Sequence, residues 1–483
     1  MTERIVENSA RMTLLQVCTI IVNAALYFIL ARLLTSADYG IASCTVIPLL
    51  MVIRTGAFGA LVLGTSKIIA ANPDTVSSCI SVSRKAYVIV GTAGTAVFLV
   101  FGGAISHILR DPSLTPYFRL TAIAVLPIAG YALLHATLIG LKDFRSDMLM
   151  GILFQVVKLA LTVVLVILGM KVYGLIFGFA IACIILMLAF RRKMPSAKGP
   201  RTITLLSYFF TTSGIFIASG VAMVQRYVNL WNLKRIVFDN QTVAYYSVAS
   251  QLASVPALIF GGAVIALWPA ISGLSSTPDR SLAADHLRKS LKYVMIGLLP
   301  ISAILAALPD YAIRIAFGQQ YARGAAVLPI LVLSLILLAL QSLLISALVA
   351  LGKIRTITCI LAAAAIVTIL VGNALIPTFG IEGAAATEII GFLISATGAA
   401  LVSTRIFGNL ASFSETAKIT SLALVVFLIV RSFAFLGHWV ALVIAAAFGL
   451  YSLALITLGV ISTDEIRQAL SRLKTHIARD RMA

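Results

Sequence analysis

Residues 1–461 form a series of apolar stretches, each about twenty residues long and divided by short polar segments. This pattern restricts the chain to membrane-spanning helices, because hydrocarbon offers no water to satisfy an open backbone and a helix satisfies its own. The expected spans lie near 12–34, 40–64, 86–107, 116–141, 148–169, 172–190, 203–230, 243–270, 292–309, 325–351, 356–376, 382–403, 418–436 and 439–461. The fold class expected is an all-α polytopic membrane protein of about fourteen transmembrane helices. Composition agrees, since a chain of 483 residues that is 60% hydrophobic and 11% charged has more apolar surface than one soluble core would bury. The polar start at residues 1–12 leads into the first apolar run without a small-residue cleavage pattern, so that run is expected to stay as the first helix.

The net charge of +20 would suggest nucleic acid in a soluble protein, but the 37 Lys and Arg residues sort by loop. Eight of them, Arg32, Arg110, Arg119, Lys171, Lys234, Arg235, Arg314 and Arg323, fall on one set of alternate loops. Four more, Arg54, Lys158, Arg226 and Arg431, fall inside expected spans, and the other 25 lie on the opposite set of loops and the tail. Such an imbalance places the richer side, and both termini, in the cytoplasm of a cell-membrane protein. Basic residues thus report topology and contact with membrane lipids, and nucleic acid is not an expected partner.

The chain resembles itself at an offset of about 206 residues, which in a membrane protein signals duplicated helix bundles. Residues 38–43 align with 245–250, 141–145 with 351–355, and 173–178 with 379–383. The division is an N-lobe at 1–200, a C-lobe at 201–411, an appended helix pair at 412–461 and a tail at 462–483. With six spans each and the same starting side, the lobes are related by a pseudo-two-fold axis along the membrane normal. The basic, proline-containing segment 191–201 is the linker. In the tail, Ser462 and Glu465 form a capping box. Ile466, Leu470, Leu473 and Ile477 then recur at helical spacing, so an amphipathic helix on the cytoplasmic surface is expected.

Charge inside a span persists only where it meets water, a partner or a ligand. Arg54 lies fourteen residues after Gly40, about 21 Å along a helix and too deep to snorkel, so it is expected to line a hydrated cavity. Lys158 shares a helix face with Gln155 and Thr162. Arg226 shares one with Asn229, towards the outer end of its span, and Arg431 lies close to a turn. Glu388 is the acid expected well inside a span, as a titrating coupling group or the partner of an arginine. Asn23 and Gln16 supply the polar groups of the first span. His135 is expected as an interhelical hydrogen-bonding residue. Asn240-Gln241-Thr242 is a glycosylation sequon in form only. The five cysteines show no ligand-like spacing, so neither a metal, a cofactor nor a disulfide is expected. The outer loops are too short to hold a catalytic domain, so the chain is not expected to be an enzyme.

Three segments resemble one family. They are Leu30–Gly40, then Ala244–Ala249 with Trp268–Ser272, and then Phe317–Tyr321, Leu351–Lys353 and Ile376–Ala385. Together they are similar to the polysaccharide and O-antigen flippases of the multidrug/oligosaccharidyl-lipid/polysaccharide exporter superfamily. The resemblance implies twelve helices in two lobes plus two more, and a polyprenyl-diphosphate-linked glycan carried by alternating access. It also implies a cationic cavity, a property mapped here to Arg54; Lys158, Arg226, Gln155 and Asn23 are the further residues expected to bind substrate. Proton or ion coupling and contact with other glycan-assembly membrane proteins belong to the same expectation. One departure stands out: this chain has Gln225-Arg226 where relatives often carry an acid in helix seven. Within the fold, a lipid-linked peptidoglycan precursor flippase and a multidrug exporter are the alternatives, and a membrane glycosyltransferase is the alternative of a different class.

Overall fold

The structure, a computed structural model, describes residues 2–71, 76–195, 204–256, 281–410 and 412–460. Among the described residues every regular element is helical. Ten segments are long and apolar enough to cross a membrane, and Cys18–Leu33 is a shorter apolar run. The expected tail helix, most of the linker at 191–201 and the Trp268–Ser272 segment lie outside the described residues.

The chain alternates between two ends of the bundle. Here the proximal end is where α1 (Thr2–Leu33) begins, and the distal end is where it finishes. The next crossing is made of three pieces, α2 (Ser36–Cys44), α3 (Val46–Met51) and α4 (Phe58–Ala71), with a π-helical turn Val52–Ala57 before the last. Then follow α5 (Val76–Ile108), α6 (Thr115–Gly140), α7 (Phe144–Leu165), α8 (Tyr173–Phe190) and α9 (Leu205–Val237). A helix over 240–256 is α10. The remaining helices are α11 (Ser281–Ala307), α12 (Pro309–Ala316), α13 (Leu328–Ala350), α14 (Ile354–Phe407), α15 (Phe413–Ser432) and α16 (Val440–Thr457). Within α14 the helix breaks at Gly380, whose φ of 57° and ψ of −127° lie where an L side chain is strained. The stretch therefore turns back on itself, as the gap between the spans expected at 356–376 and 382–403 requires.

Helices α1 and α4 to α8 pack on one another, as do α9, α11, α13 and α14, while α15 rests on α11 and α16 on α15. Helix α9 also touches the π turn, α4 and α5, so it joins the two groups.

Two prolines explain how distant helices are pinned. Pro48 has no N–H to give the carbonyl of Cys44, four residues earlier. That carbonyl instead accepts from Trp231 Nε1 on α9 at 3.0 Å, and the backbone between α2 and α3 bends at Thr45. Pro300 likewise frees the carbonyl of Ile296, which accepts from Tyr451 Oη at 2.9 Å and fixes α16 to α11. Lys292 adds an ion pair to Glu415 at 2.9 Å between α11 and α15.

At the distal end Lys234 is fully buried. Its Nζ donates to Asp111 Oδ2 at 2.7 Å and Asn240 Oδ1 at 2.6 Å, which ties α9 to the α5–α6 loop. The sequence count placed Lys234 on a loop and read Asn240 as a formal sequon; the structure corrects the first reading, since Lys234 lies buried in the last turn of α9. Gln320 Nε2 donates to the carbonyl of Ala31 at 2.8 Å, and Tyr39 Oη donates to Gln251 Oε1 at 3.0 Å. Nearer the proximal end a buried hydrogen bond of 2.7 Å joins Thr65 and Tyr208.

Candidate functional site

A cavity of about 290 Å³ lies where α1, α2, α3, α9, α10 and the second limb of α14 meet. One wall comes from the first half of the chain, with Asn23, Tyr27, Ser43 and Met51. The other comes from the second half and carries Arg226, Tyr246, Ser250, Gln251 and Glu388. Asn23, Gln251, Ser43 and Ser250 bring hydroxyl and amide groups to this lining.

Arg226 and Glu388 are the charged residues of the lining. Glu388 is buried, and its Oε2 accepts from the Tyr246 hydroxyl. Asn229 supports both groups: its Nδ2 donates to Tyr246 Oη and to the carbonyl of Ala384, each at 2.8 Å, and stands 3.5 Å from Glu388 Oε2. Glu388 is thus held by neutral donors and is in no ion pair among the described residues. Arg226 is half-buried and makes no hydrogen bond or ion pair there either, so its donors are open to the cavity. Gln225, its neighbour, faces away and donates to Ser395 Oγ at 3.3 Å. Arg226 thus places a cation on the cavity face of α9.

Lys158, Gln155 and Asn23 form a second cluster. Lys158 is buried at 2% exposure, and its Nζ donates to Asn23 Oδ1 at 2.6 Å and Gln155 Oε1 at 2.7 Å. It therefore bridges α7 to α1 and does not snorkel. Beside it lies a void of about 30 Å³, the share of one water molecule. Asn23, Tyr27, Ile47 and Met51 line both this void and the larger cavity, so they form the partition between them.

Arg54 sits on the π turn that follows Met51, behind the same partition. Its guanidinium lies 4.7 Å from the centroid of Phe154 and 5.9 Å from that of Tyr131. The Phe154 ring also lies 5.7 Å from Lys158 Nζ, so two cations share one aromatic neighbour. Aromatic faces, and no ion pair among the described residues, neighbour this guanidinium. The π turn itself, a distortion frequent at functional sites, had no signal in the sequence.

Other residues have local roles. Arg431 Nη1 donates to the carbonyl of Ala307 at 3.4 Å, at the join of α15 to α11. His135 Nδ1 is hydrogen-bonded to Asp147 Oδ1, and Asp147 is buried at 1% exposure. Sequence reasoning placed Asp147 just outside a span and missed it as a buried acid. The signal available was its position twelve residues after His135, across a short turn.

A bundle of apolar helices with a cavity that holds charged residues between two helix groups defines a multi-pass membrane protein. Residues 29–326 match the family described as polysaccharide biosynthesis protein, and the chain belongs to that family. The succinoglycan biosynthesis transport protein ExoT of Rhizobium meliloti (strain 1021) is 23% identical over 318 residues, 63% of this chain and 61% of that protein. The match thus spans about three-fifths of that relative's length. Among solved structures, the lipid II flippase MurJ in an inward closed conformation matches with a TM-score of 0.73 at 14% identity, covering 93% of this chain and 98% of that one. An inward-facing multidrug resistance MATE family transporter of the MOP superfamily matches with a TM-score of 0.68 at 14% identity, over 82% and 98%. At such identities the likeness is one of fold. The relatives named here are transporters and a flippase rather than enzymes.

Proposed function

We propose that the protein is a flippase that moves a polyprenyl-diphosphate-linked oligosaccharide across the cell membrane for assembly of a cell-surface polysaccharide. The observation that carries this reading is Arg226, a cation with no hydrogen bond or ion pair among the described residues, facing a cavity whose walls come from both halves of the chain. An intramembrane cation without a partner is a site for an anion. Guanidinium offers forked donors that fit phosphate oxygens, and the hydroxyl and amide lining suits sugar.

In this reading residues 1–200 and 201–411 are two six-helix lobes, and 412–461 and the tail are appendages. The proximal end, where the basic loops gather, is cytoplasmic. Lys158 and Arg54 form a reserve of positive charge behind the Asn23 and Met51 partition, met by the diphosphate as the lobes rearrange. Glu388 is the coupling group, held by the Tyr246 hydroxyl and Asn229 with the Arg226 charge within electrostatic reach in the same cavity. The apolar tail stays in the bilayer while the headgroup crosses.

A binding measurement tests the site. Purified protein in nanodiscs should bind a short-chain polyprenyl-diphosphate oligosaccharide. Arg226→Ala should bind it at least tenfold more weakly, since a charge-assisted contact of about 1.5–3 kcal/mol is lost. Equal binding by both proteins would remove the basis of the assignment.

A further inference from the structure

Outside the cavity, the distal half of the bundle has a recess of about 510 Å³ that lies between α1, α10, α11 and α12. Phe28, Leu252, Leu305, Tyr311 and Ile315 make its walls apolar, and Tyr311 and Ile315 are half exposed. Arg32 stands at its distal end, exposed, with Nη2 donating to the carbonyl of Ile315 at 2.5 Å. Arg314, the residue before Ile315, is exposed on the short helix α12, whose Ile313 is buried. Neither arginine is in an ion pair among the described residues. Asp310, one turn before Arg314, does not come within ion-pair distance of it.

We propose that this recess binds an anionic phospholipid of the surrounding leaflet, with an acyl chain along the Phe28 and Leu305 wall and the phosphate at Arg32 and Arg314. Charge complementarity commits the site to an anion. Arg32 lines the recess, and its guanidinium sits on the carbonyl of Ile315, the residue next to the exposed Arg314, so two basic residues are neighbours beside one apolar recess. Depth commits it to a lipid, because the arginines lie at the helix ends, where headgroups sit, while the recess runs into the apolar zone. Since α1 belongs to the first half and the other walls to the second, a lipid seated there bridges the two halves.

Native mass spectrometry of the full-length protein tests the site with phosphatidylglycerol and phosphatidylcholine of identical chains. Phosphatidylglycerol should be retained in preference. Arg32→Gln and Arg314→Gln should each weaken it about fivefold, the effect of one basic residue near an anionic surface. Leu305→Trp fills the recess without altering charge and should abolish the adduct while the melting temperature holds. Equal retention of the two lipids, or a preference unchanged in Arg314→Gln and Leu305→Trp, would overturn the proposal. So would stronger retention of a short-chain polyprenyl diphosphate than of phosphatidylglycerol, lost in the same variants, which would give the recess to an isoprenoid tail instead.

Discussion

At the scale of single residues, the cations inside the bundle are distinguished by what holds them. Arg226 has no hydrogen bond or ion pair among the described residues, Lys158 has two amide oxygens, and Arg54 has two aromatic rings. Arg226→Lys keeps the charge but loses the forked donors, so it should retain part of the binding that Arg226→Ala loses. Lys158→Met should act differently. It leaves the Asn23 and Gln155 oxygens without their donor, and a lower melting temperature reporting roughly 1–3 kcal/mol should accompany any loss of transport. A stable Lys158→Met protein with normal transport would show that the α1 to α7 bridge is dispensable. The sequence made the Lys158 and Gln155 stripe legible, because both residues project from one face of one helix. It did not reveal which intramembrane cation stands free, because the rings over Arg54 and the Tyr246 and Asn229 that hold Glu388 come from elements remote in the chain.

At the scale of elements, the distal ends of the two halves are joined by Lys234, Asp111 and Asn240. Burial alone would raise the Asp111 carboxyl, but hydrogen bonds from Lys234 and Ser113 outweigh it, and the net shift is below the ordinary aspartate value. A group depressed in the folded state contributes stability above its unfolded pKa, near 4, and loses it as the pH falls through the folded value. The junction should therefore be insensitive to pH between 5 and 8 and weaken only in stronger acid, as melting temperatures across that range will show. Asp111→Asn leaves Lys234 buried without a counter-charge. A loss of about 2–3 kcal/mol is expected, less than for a fully enclosed pair because Asp111 keeps some solvent contact. The helix succession and the break at Gly380 were legible from hydropathy and glycine placement. The split of one span at Thr45 was not, although Pro48 marked it: a proline shows where a carbonyl is freed, but the acceptance from Trp231 depends on how α9 packs. Trp231→Phe should cost about 1 kcal/mol through that lost bond.

At the scale of the whole molecule, the helical fold follows from one requirement, that every backbone group in the bilayer be paired within the chain. Movement of the headgroup carries charge. A diphosphate bears about two negative charges, and each is worth about 2.3 kcal/mol per 100 mV, so an inside-negative potential favours outward transfer. Transport should accelerate when such a potential is imposed on proteoliposomes. Glu388→Gln should remove any added drive from a pH gradient and spare the effect of the potential. The most direct measurement is flipping itself. Proteoliposomes loaded with a polyprenyl-diphosphate oligosaccharide confined to one leaflet are tested for exposure of the sugar to a glycan-cleaving enzyme on the other side. The wild-type protein should expose it well above protein-free vesicles, and Arg226→Ala, folded and reconstituted equally, should not. Exposure at the protein-free rate, or the same rate with and without Arg226, would contradict transport through this cavity.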